Sequence, residues 1–409
     1  MHESGVDVTE LNEIVVVGAS LGGLRAVEAI RREGFAGTVT LIGDEEHFPP
    51  YDRPPLSKEV LMGQWEPERA RLRVEENLDV QLALGTRAER LDLERNQVIL
   101  ADETARHFDG LVVATGAAPR TMSIVDPALK GVFMLRTLAD SLALREGLAA
   151  ASKVVVIGGG WIGGEVAAAC RSLDLDVTVI EALTAPMMRS LGPDLGMWAA
   201  ELHRSHGVDV RLGVGVEAIV ANGRNVAGVV LADGSEFPCD VLVVAVGAAP
   251  VTDWLEGSGL LLNDGVVCAA TGFALGTENV VAVGDVARWF NPLFDREIRV
   301  EHWSNAVEQA DWAAKSLVHG AESAEPFSAV PYFWSDQYGK KIQYVGVAGE
   351  FAGVVEGGLD QERFVAIFTA GEQLVGALCV NAAPRMIRYR RLIAGRVGVD
   401  AVASILPTT

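Results

Sequence analysis

The stretch VVVIGGGWIGGEV, residues 154–166, runs an apolar strand into a glycine turn and on into a helix of small residues. Strand, glycine turn and helix in that order present backbone amides to the pyrophosphate of a dinucleotide. Gly158 permits the tight turn, Gly160 lets the backbone approach phosphate, and Gly163 lets helix and strand close together, with Ile162 inside the first helical turn. The following strand, DVTVIEA, ends at Glu181. A carboxylate there accepts ribose hydroxyls and repels a 2'-phosphate, and Ala182 and Leu183 bring no cation, so NADH is favoured over NADPH. Two questions remain: what fills the residues before this turn, and why an acid, Glu165, stands two places past Gly163.

An internal repeat answers the first. VILADETARHFDGLVVATGAAP (98–119) and VVLADGSEFPCDVLVVAVGAAP (229–250) align without a gap. Each reads as a strand, a turn at Asp-Glu or Asp-Gly, a return, and an apolar strand that stops at Gly116 or Gly247. Upstream of the copies stand EIVVVGASLGGLRAVEAI (13–30) and KVVVIGGGWIGGEVAAAC (153–170). One glycine turn is weak evidence, because such turns punctuate many folds; two followed by the same later segment are strong. In the first copy Gly18 and Gly23 match, while Ser20 replaces the middle glycine, its side chain expected to turn away or bond to phosphate. The strand TVTLIGDE ends at Asp44 and Glu45, placed for ribose hydroxyls.

Two dinucleotides on one chain imply electron transfer between them, and the usual pair is a flavin with a nicotinamide. A third strand, TENVVAVGDVARW, ends at Gly284 and Asp285, an acid at a strand's carboxyl end suited to a sugar-alcohol hydroxyl. It follows the second repeat, so the chain returns to its first domain. The expected fold class is α/β: two Rossmann-like domains and a small α+β C-terminal domain. FAD falls to 1–119 with 248–325, NAD to the inserted 120–247, and an interface domain to 326–409.

Composition narrows the class. The net charge of -21 opposes nucleic acid and anionic membrane as partners. The polar, acidic start lacks the marks of an export signal, and no apolar run is long enough to span a bilayer, so the cytoplasm is expected. Cys170, Cys239, Cys268 and Cys379 are scattered, suggesting buried apolar residues rather than a metal site or redox dithiol.

The motifs YDRPPLSK (51–58), VVATGAAPR (112–120), GGGWIGGE (158–165), VAVGD (281–285), EHWSNAVEQA (301–310) and PYFWSDQYG (331–339) occur in this order. Through them the sequence resembles, over nearly its whole length, the FAD-dependent, NADH-linked ferredoxin reductases of bacterial oxygenase systems. The resemblance implies that Arg53 contacts FAD, Pro54 lies near its ring, Lys58 sits near flavin N5, and Glu165 is the acid partner of that lysine. An ordinary ion pair between domains is the plainer reading of the last two. His302 and Trp303 are implied at the pyrimidine edge, under a helix starting near Ser304, and Trp334 against the ring, where a core tryptophan would be the default. The implied cofactor-binding set also takes in Ala114, Thr115, Gly116, Arg120, Gly247 and Ala306.

The activity implied is hydride transfer from NADH to FAD N5 and then single electrons to a [2Fe-2S] ferredoxin feeding a cytochrome P450 or dioxygenase. The C-terminal run RMIRYRRLIAGR carries Arg385, Arg388, Arg390, Arg391 and Arg396, a basic patch for an acidic ferredoxin or simply a solvated helix face. Lys340 and Lys341 offer a second edge, and a homodimer is possible. Two other readings stay open. An NADH oxidase, peroxidase or disulfide reductase would need a cysteine beside the flavin, and the region from Asp44 to Lys58 has none. An FAD-binding interaction protein like apoptosis-inducing factor is basic, whereas this chain is acidic.

Overall fold

A computed structural model describes residues 11–405; the polar stretch 1–10 considered above and residues 406–409 lie outside the described residues. The chain divides into two compact units. The first comprises the residues up to Tyr51, Leu72–Ala117 and Pro250–Ala329; the second comprises Asp52–Arg71, Ala118–Ala249 and the residues from Val330 onward.

The first unit is built on a five-stranded parallel sheet in the order Val280–Ala282, Gly110–Val113, Glu13–Val17, Thr38–Gly43, Gln81–Leu84. Its strands Glu13–Val17, Gly110–Val113 and Val280–Ala282 are buried apolar runs because both their faces are covered, whereas the edge strand Gln81–Leu84 is partly exposed. Ala26, Val27 and Ile30 of helix Leu21–Arg32 share a core with Ile14 and Val16 of the central strand. Ala310, Ala313, Ala314 and Leu317 of helix Trp303–His319 join the same core, spaced so that they form one face of that helix. A three-stranded antiparallel meander, Ala88–Asp92, Gln97–Leu100 and Ala105–His107, leads into the strand Gly110–Val113.

The second unit repeats the plan. Its parallel sheet runs Asp209–Leu212, Asp176–Glu181, Lys153–Ile157, Val241–Val244, Val132–Phe133. The matching meander is Val216–Asn222, Asn225–Leu231 and Glu236–Pro238. Beyond it a five-stranded antiparallel sheet orders Tyr332–Gln337, Lys340–Gly346, Gln373–Val380, Phe364–Ala370 and Glu350–Gly357, followed by helix Ala383–Ala394.

Segment Asp52–Arg71 lies with this second unit for identifiable reasons. Arg53 Nη1 donates to the Arg136 carbonyl at 2.7 Å, and Ser141 Oγ donates to the Leu56 carbonyl at 2.7 Å. Leu61 is fully buried in the core that holds Leu144, Val154 and Val166. Among the described residues no helix is long and apolar enough to cross a membrane.

Candidate functional site

Both glycine turns are imposed by backbone geometry. Gly18 sits at φ +117° and Gly158 at φ +106°, and a Cβ on them would lie 2.2 Å from the Ala114 carbonyl oxygen and 2.3 Å from that of Ala245. At Gly23 and Gly163 a Cβ would fall 1.9 Å from the Gly18 oxygen and 2.1 Å from the Gly158 oxygen. The middle position differs. Gly160 has φ −75° with open space around a notional Cβ, and Ser20 has φ −108°. The protein therefore demands glycine at the first and third positions but not at the second, where only an approaching ligand would. Ser20 is tolerated for that reason. Its hydroxyl does not cap its helix, and Gly160 cannot, so the first-turn amides of both helices keep the polarity that receives an anion.

The acids sit differently in the two units. Glu181 Oε2 accepts from Gly159 N at 2.9 Å and Oε1 from Leu183 N at 2.8 Å, which fixes its carboxylate beside the glycine turn. Strand register pairs Val17 with Ile42 and Ile157 with Ile180, so the first-unit counterpart of Glu181 is Gly43. A Cβ there would lie 2.5 Å from that of Ala19, and the acids follow instead as exposed Asp44 and half-buried Glu45, the latter bonded to the Tyr51 hydroxyl. Ile162 is 47% exposed at the second turn, a large apolar side chain left facing outward beside the helix start.

Elsewhere in the first unit, Gly284 takes φ +74°, and its N–H donates to Gln309 Oε1 at 2.9 Å. Asn305 Nδ2 donates to the same oxygen at 3.2 Å, and the buried Gln309 Nε2 has no acceptor among the described residues. A Cβ on Gly284 would stand 3.5 Å from that of Ala306, and the Asp285 carbonyl accepts from Arg299 Nη1 at 3.1 Å. Desolvation pushes the His302 imidazole down to about 4 against the opposing pull of Asp285, so it is neutral at pH 7. Trp303 opens the following helix. Ala114 supplies the oxygen against Gly18, Thr115 Oγ1 donates to the Val251 carbonyl at 2.8 Å, and Gly116 takes φ +69°. In the second unit Arg120 donates through N to Gly247 O at 2.9 Å and through Nε to Ala248 O at 3.0 Å, with Gly247 at φ +106°.

The second unit also contains a buried charged cluster. Pro54 starts a short 3-10 turn, Pro54–Ser57, after which Lys58 turns inward, 8% exposed. Its Nζ lies 2.8 Å from Glu165 Oε2, on a residue 4% exposed in helix Trp161–Ser172. The same Oε2 accepts from the Ser57 hydroxyl, and Oε1 accepts from Ser335 Oγ at 2.7 Å. Gln337 Nε2 donates to Ser335 Oγ at 3.0 Å. Burying two opposite charges costs several kcal/mol per ion unless the remaining lone pairs are satisfied, and the two hydroxyls supply that. Lys58 Nζ has one acceptor among the described residues, so two of its three hydrogens are not taken up by that pair.

Strand Tyr332–Gln337 explains how the serine arrives. Alternation puts Phe333, Ser335 and Gln337 on the face toward the helix, with Phe333 edge-on to Trp161 at 4.8 Å. Tyr332 and Trp334 share the opposite face, their rings stacked at 5.9 Å. Gly164 makes room for this packing: a Cβ there would meet Gln337 Nε2 at 3.0 Å and His203 Nε2 at 3.2 Å. Ser57, Ser335, Gln337, Gly164 and Gln309 escaped the sequence reading. Period-two alternation in YFWSDQ and the four-residue spacing of Asn305 and Gln309 were the available signals.

All four cysteines are buried, and burial pushes each thiol up to about 12, so none offers a thiolate at pH 7. The expected basic edges are partly neutralised. Lys340 pairs with Glu362, Lys341 with Asp336 at 3.3 Å, and Arg385 with Glu356 at 2.8 Å.

Comparison with known proteins agrees with this geometry. A family model described as pyridine nucleotide-disulphide oxidoreductase matches residues 12–310, and one described as reductase C-terminal matches 332–408. Rhodocoxin reductase of Rhodococcus erythropolis is 36% identical over 93% of this chain and 89% of its own. The ferredoxin--NAD(+) reductase component of the p-cumate 2,3-dioxygenase system of Pseudomonas putida is 34% identical over 98% and 97%. The crystal structure of the covalent putidaredoxin reductase–putidaredoxin complex superposes with a TM-score of 0.89 at 31% identity, covering 95% of this chain and 94% of that one. With two obligatory glycine turns on matching parallel sheets and a reductase-type C-terminal sheet, the chain belongs to the pyridine nucleotide-disulphide oxidoreductase family.

Proposed function

We propose that the protein is a cytoplasmic NADH-dependent ferredoxin reductase, using FAD to pass electrons from NADH to a [2Fe-2S] ferredoxin that feeds a cytochrome P450 or ring-hydroxylating dioxygenase. The observation that carries the reading furthest is the buried Lys58–Glu165 pair, whose ammonium has one acceptor among the described residues and so has hydrogens to offer a ligand. The named activities of rhodocoxin reductase and of the p-cumate system component support the same reading. When bound, FAD takes a hydride from NADH and releases the electrons one at a time.

The residues divide the work as follows. Gly18, Ser20 and Gly23 leave helix amides for the FAD pyrophosphate, Asp44 and Glu45 receive its ribose hydroxyls, and Asp285 beside Gly284 receives a hydroxyl of its sugar-alcohol chain. Gly158, Gly160 and Gly163 do the same for NADH, Glu181 selects it over NADPH, and Ile162 offers an apolar contact. Lys58 balances negative charge on the reduced cofactor, and Glu165 holds Lys58. Arg53 and Pro54, the strand-end residues Ala114, Thr115, Gly116, Arg120 and Gly247, and His302, Trp303, Ala306 and Trp334 complete the binding set. In functional terms 1–119 with 248–325 serves FAD, 120–247 serves NADH, and 326–409 is the interface domain.

The test is NADH-driven cytochrome c reduction by the yellow, FAD-loaded protein with and without added [2Fe-2S] ferredoxins. A ferredoxin should stimulate turnover at least tenfold. Turnover that no iron-sulfur protein stimulates, with rapid direct consumption of oxygen, would overturn the assignment.

A further inference from the structure

We propose that Ser57 and Ser335 are positioning residues for hydride transfer, holding the Glu165 carboxylate so that it aims the Lys58 ammonium. The inference rests on the reductase reading and deepens it. Three facts carry it. The two hydroxyls approach different oxygens of one buried carboxylate, Ser57 on Oε2 and Ser335 on Oε1, while Lys58 shares Oε2 at 2.8 Å. A carboxylate anchored at both oxygens cannot rotate about its terminal bond, so the direction in which it pulls Nζ is fixed.

The second fact is the direction of the hydrogen bonds. Gln337 Nε2 donates to Ser335 Oγ at 3.0 Å, which occupies a lone pair of that oxygen and leaves its single hydrogen for Glu165. An ionised carboxylate accepts only, so the chain from Gln337 through Ser335 to Glu165 runs one way and each bond polarises the next. Third, the donors come from segments far apart in sequence: Ser57 lies 108 residues from Glu165, and Ser335 lies 170 residues from it. Ser335 is the immediate neighbour of Trp334, on the opposite face of one strand. The C-terminal sheet thereby sets the acid that sets the lysine. Each serine acts through Glu165, as a positioning residue.

The test compares Ser335→Ala, Ser57→Ala and Ser335→Thr with wild type, all loaded with FAD. Losing a hydrogen bond to a charged acceptor should slow NADH-driven flavin reduction in single turnover about tenfold, with the KM for NADH unchanged. The flavin midpoint potential, titrated without NADH, should become more negative, because a wandering ammonium stabilises the reduced form less. Ser335→Thr, which keeps the hydroxyl, should restore both. In a Lys58→Met background Ser335→Ala should have no further effect on rate, whereas a merely structural serine would still matter there. Should Ser335→Ala fail to fold, Ser57→Ala, outside that sheet, answers the same question. Wild-type potential and rate in the alanine variants, or an undiminished loss in the Lys58→Met background, would overturn the positioning role. A wild-type protein that binds FAD but is not reduced by NADH would instead remove the reductase reading, and the inference with it.

Discussion

Replacing Glu165 with leucine would leave Lys58 charged, 8% exposed and without its partner at 2.8 Å. Breaking a buried ion pair from one side costs about 3–5 kcal/mol. The Ser335 hydroxyl loses its acceptor as well, and Ser57 keeps only the Pro54 carbonyl at 3.5 Å, at about 1 kcal/mol each. The sum, about 5–7 kcal/mol, divided by a urea slope of about 3 kcal/mol/M, lowers the unfolding midpoint by roughly 1.7–2.3 M. Adding Lys58→Met removes the stranded charge and leaves only the weakened hydrogen bonding of the two hydroxyls, so the double variant should regain all but about 2 kcal/mol of the loss. Hydride transfer should not recover with it, because the ammonium is gone. Urea unfolding by circular dichroism and stopped-flow reduction by NADH on the three proteins separate the two quantities. Equal stability of single and double variants would refute the claim that the pair is electrostatically coupled in a buried setting. A double variant reduced at the wild-type rate would refute its role in the chemistry.

Glu181→Ala should raise the KM for NADH about tenfold with FAD content unchanged; equal affinity would remove the NAD assignment of the second turn. The glycines of that turn should split in behaviour. Gly163→Ala forces a Cβ to 2.1 Å from the Gly158 oxygen and should cost about 3 kcal/mol of stability. Gly160→Ala, with open space around it, should unfold like wild type yet bind NADH weakly, and a destabilised Gly160→Ala would contradict the reading. His203, whose Nδ1 lies 2.7 Å from the Tyr338 hydroxyl, is pushed down to about 4 by burial and then by the charge of His206. Between about 4 and its ordinary value near 6.5 the unfolded chain takes up a proton that the folded chain refuses. Stability is therefore full above that range and falls by about 3 kcal/mol as pH drops through it. Urea midpoints from pH 7.5 to 4.5 should show this decline in wild type and much less of it in His203→Gln.

How far the sequence could be read follows from the range of the interaction that imposes each residue. Gly18, Gly23, Gly158 and Gly163 answer to carbonyl oxygens a few ångströms away, and no other residue type fits, so the turns and the two parallel sheets were legible. The grouping of Asp52–Arg71 with the second unit was not. It depends on Arg53 reaching Arg136 and Ser141 reaching Leu56, generic polar contacts between distant segments. Ser57, Ser335 and Gln337 were hidden for the same reason: a serine carries no mark of the carboxylate it will meet.

Superposing the two turns on their glycines isolates the places where the copies part. Gly23 aligns with Gly163 and therefore Arg25 with Glu165; strand register aligns Gly43 with Glu181; Ser20 aligns with Gly160. Packing cannot account for the last difference, since Gly160 has room for a side chain. Arg25 pairs with Glu28 on its own helix, an arrangement that needs no second unit, whereas Glu165 pairs with Lys58 from another segment. The turn glycines common to both copies, Gly18 with Gly158 and Gly23 with Gly163, are those that a carbonyl oxygen enforces, whereas Ser20 against Gly160 and Arg25 against Glu165 differ where a ligand or the buried ion pair would exert the demand. Exchanging the partner acid between copies should therefore fail in one direction only. Arg25→Glu should leave the first unit folded, losing the ion pair with the buried Glu28 and the hydrogen bond to the Arg73 carbonyl and setting a like charge beside Glu28, about 3 kcal/mol. Glu165→Arg sets a second cation against Lys58 in a closed cluster, and that protein should not yield a folded second unit; recovery of a folded, FAD-loaded Glu165→Arg variant would show that the cluster is more open than its burial implies.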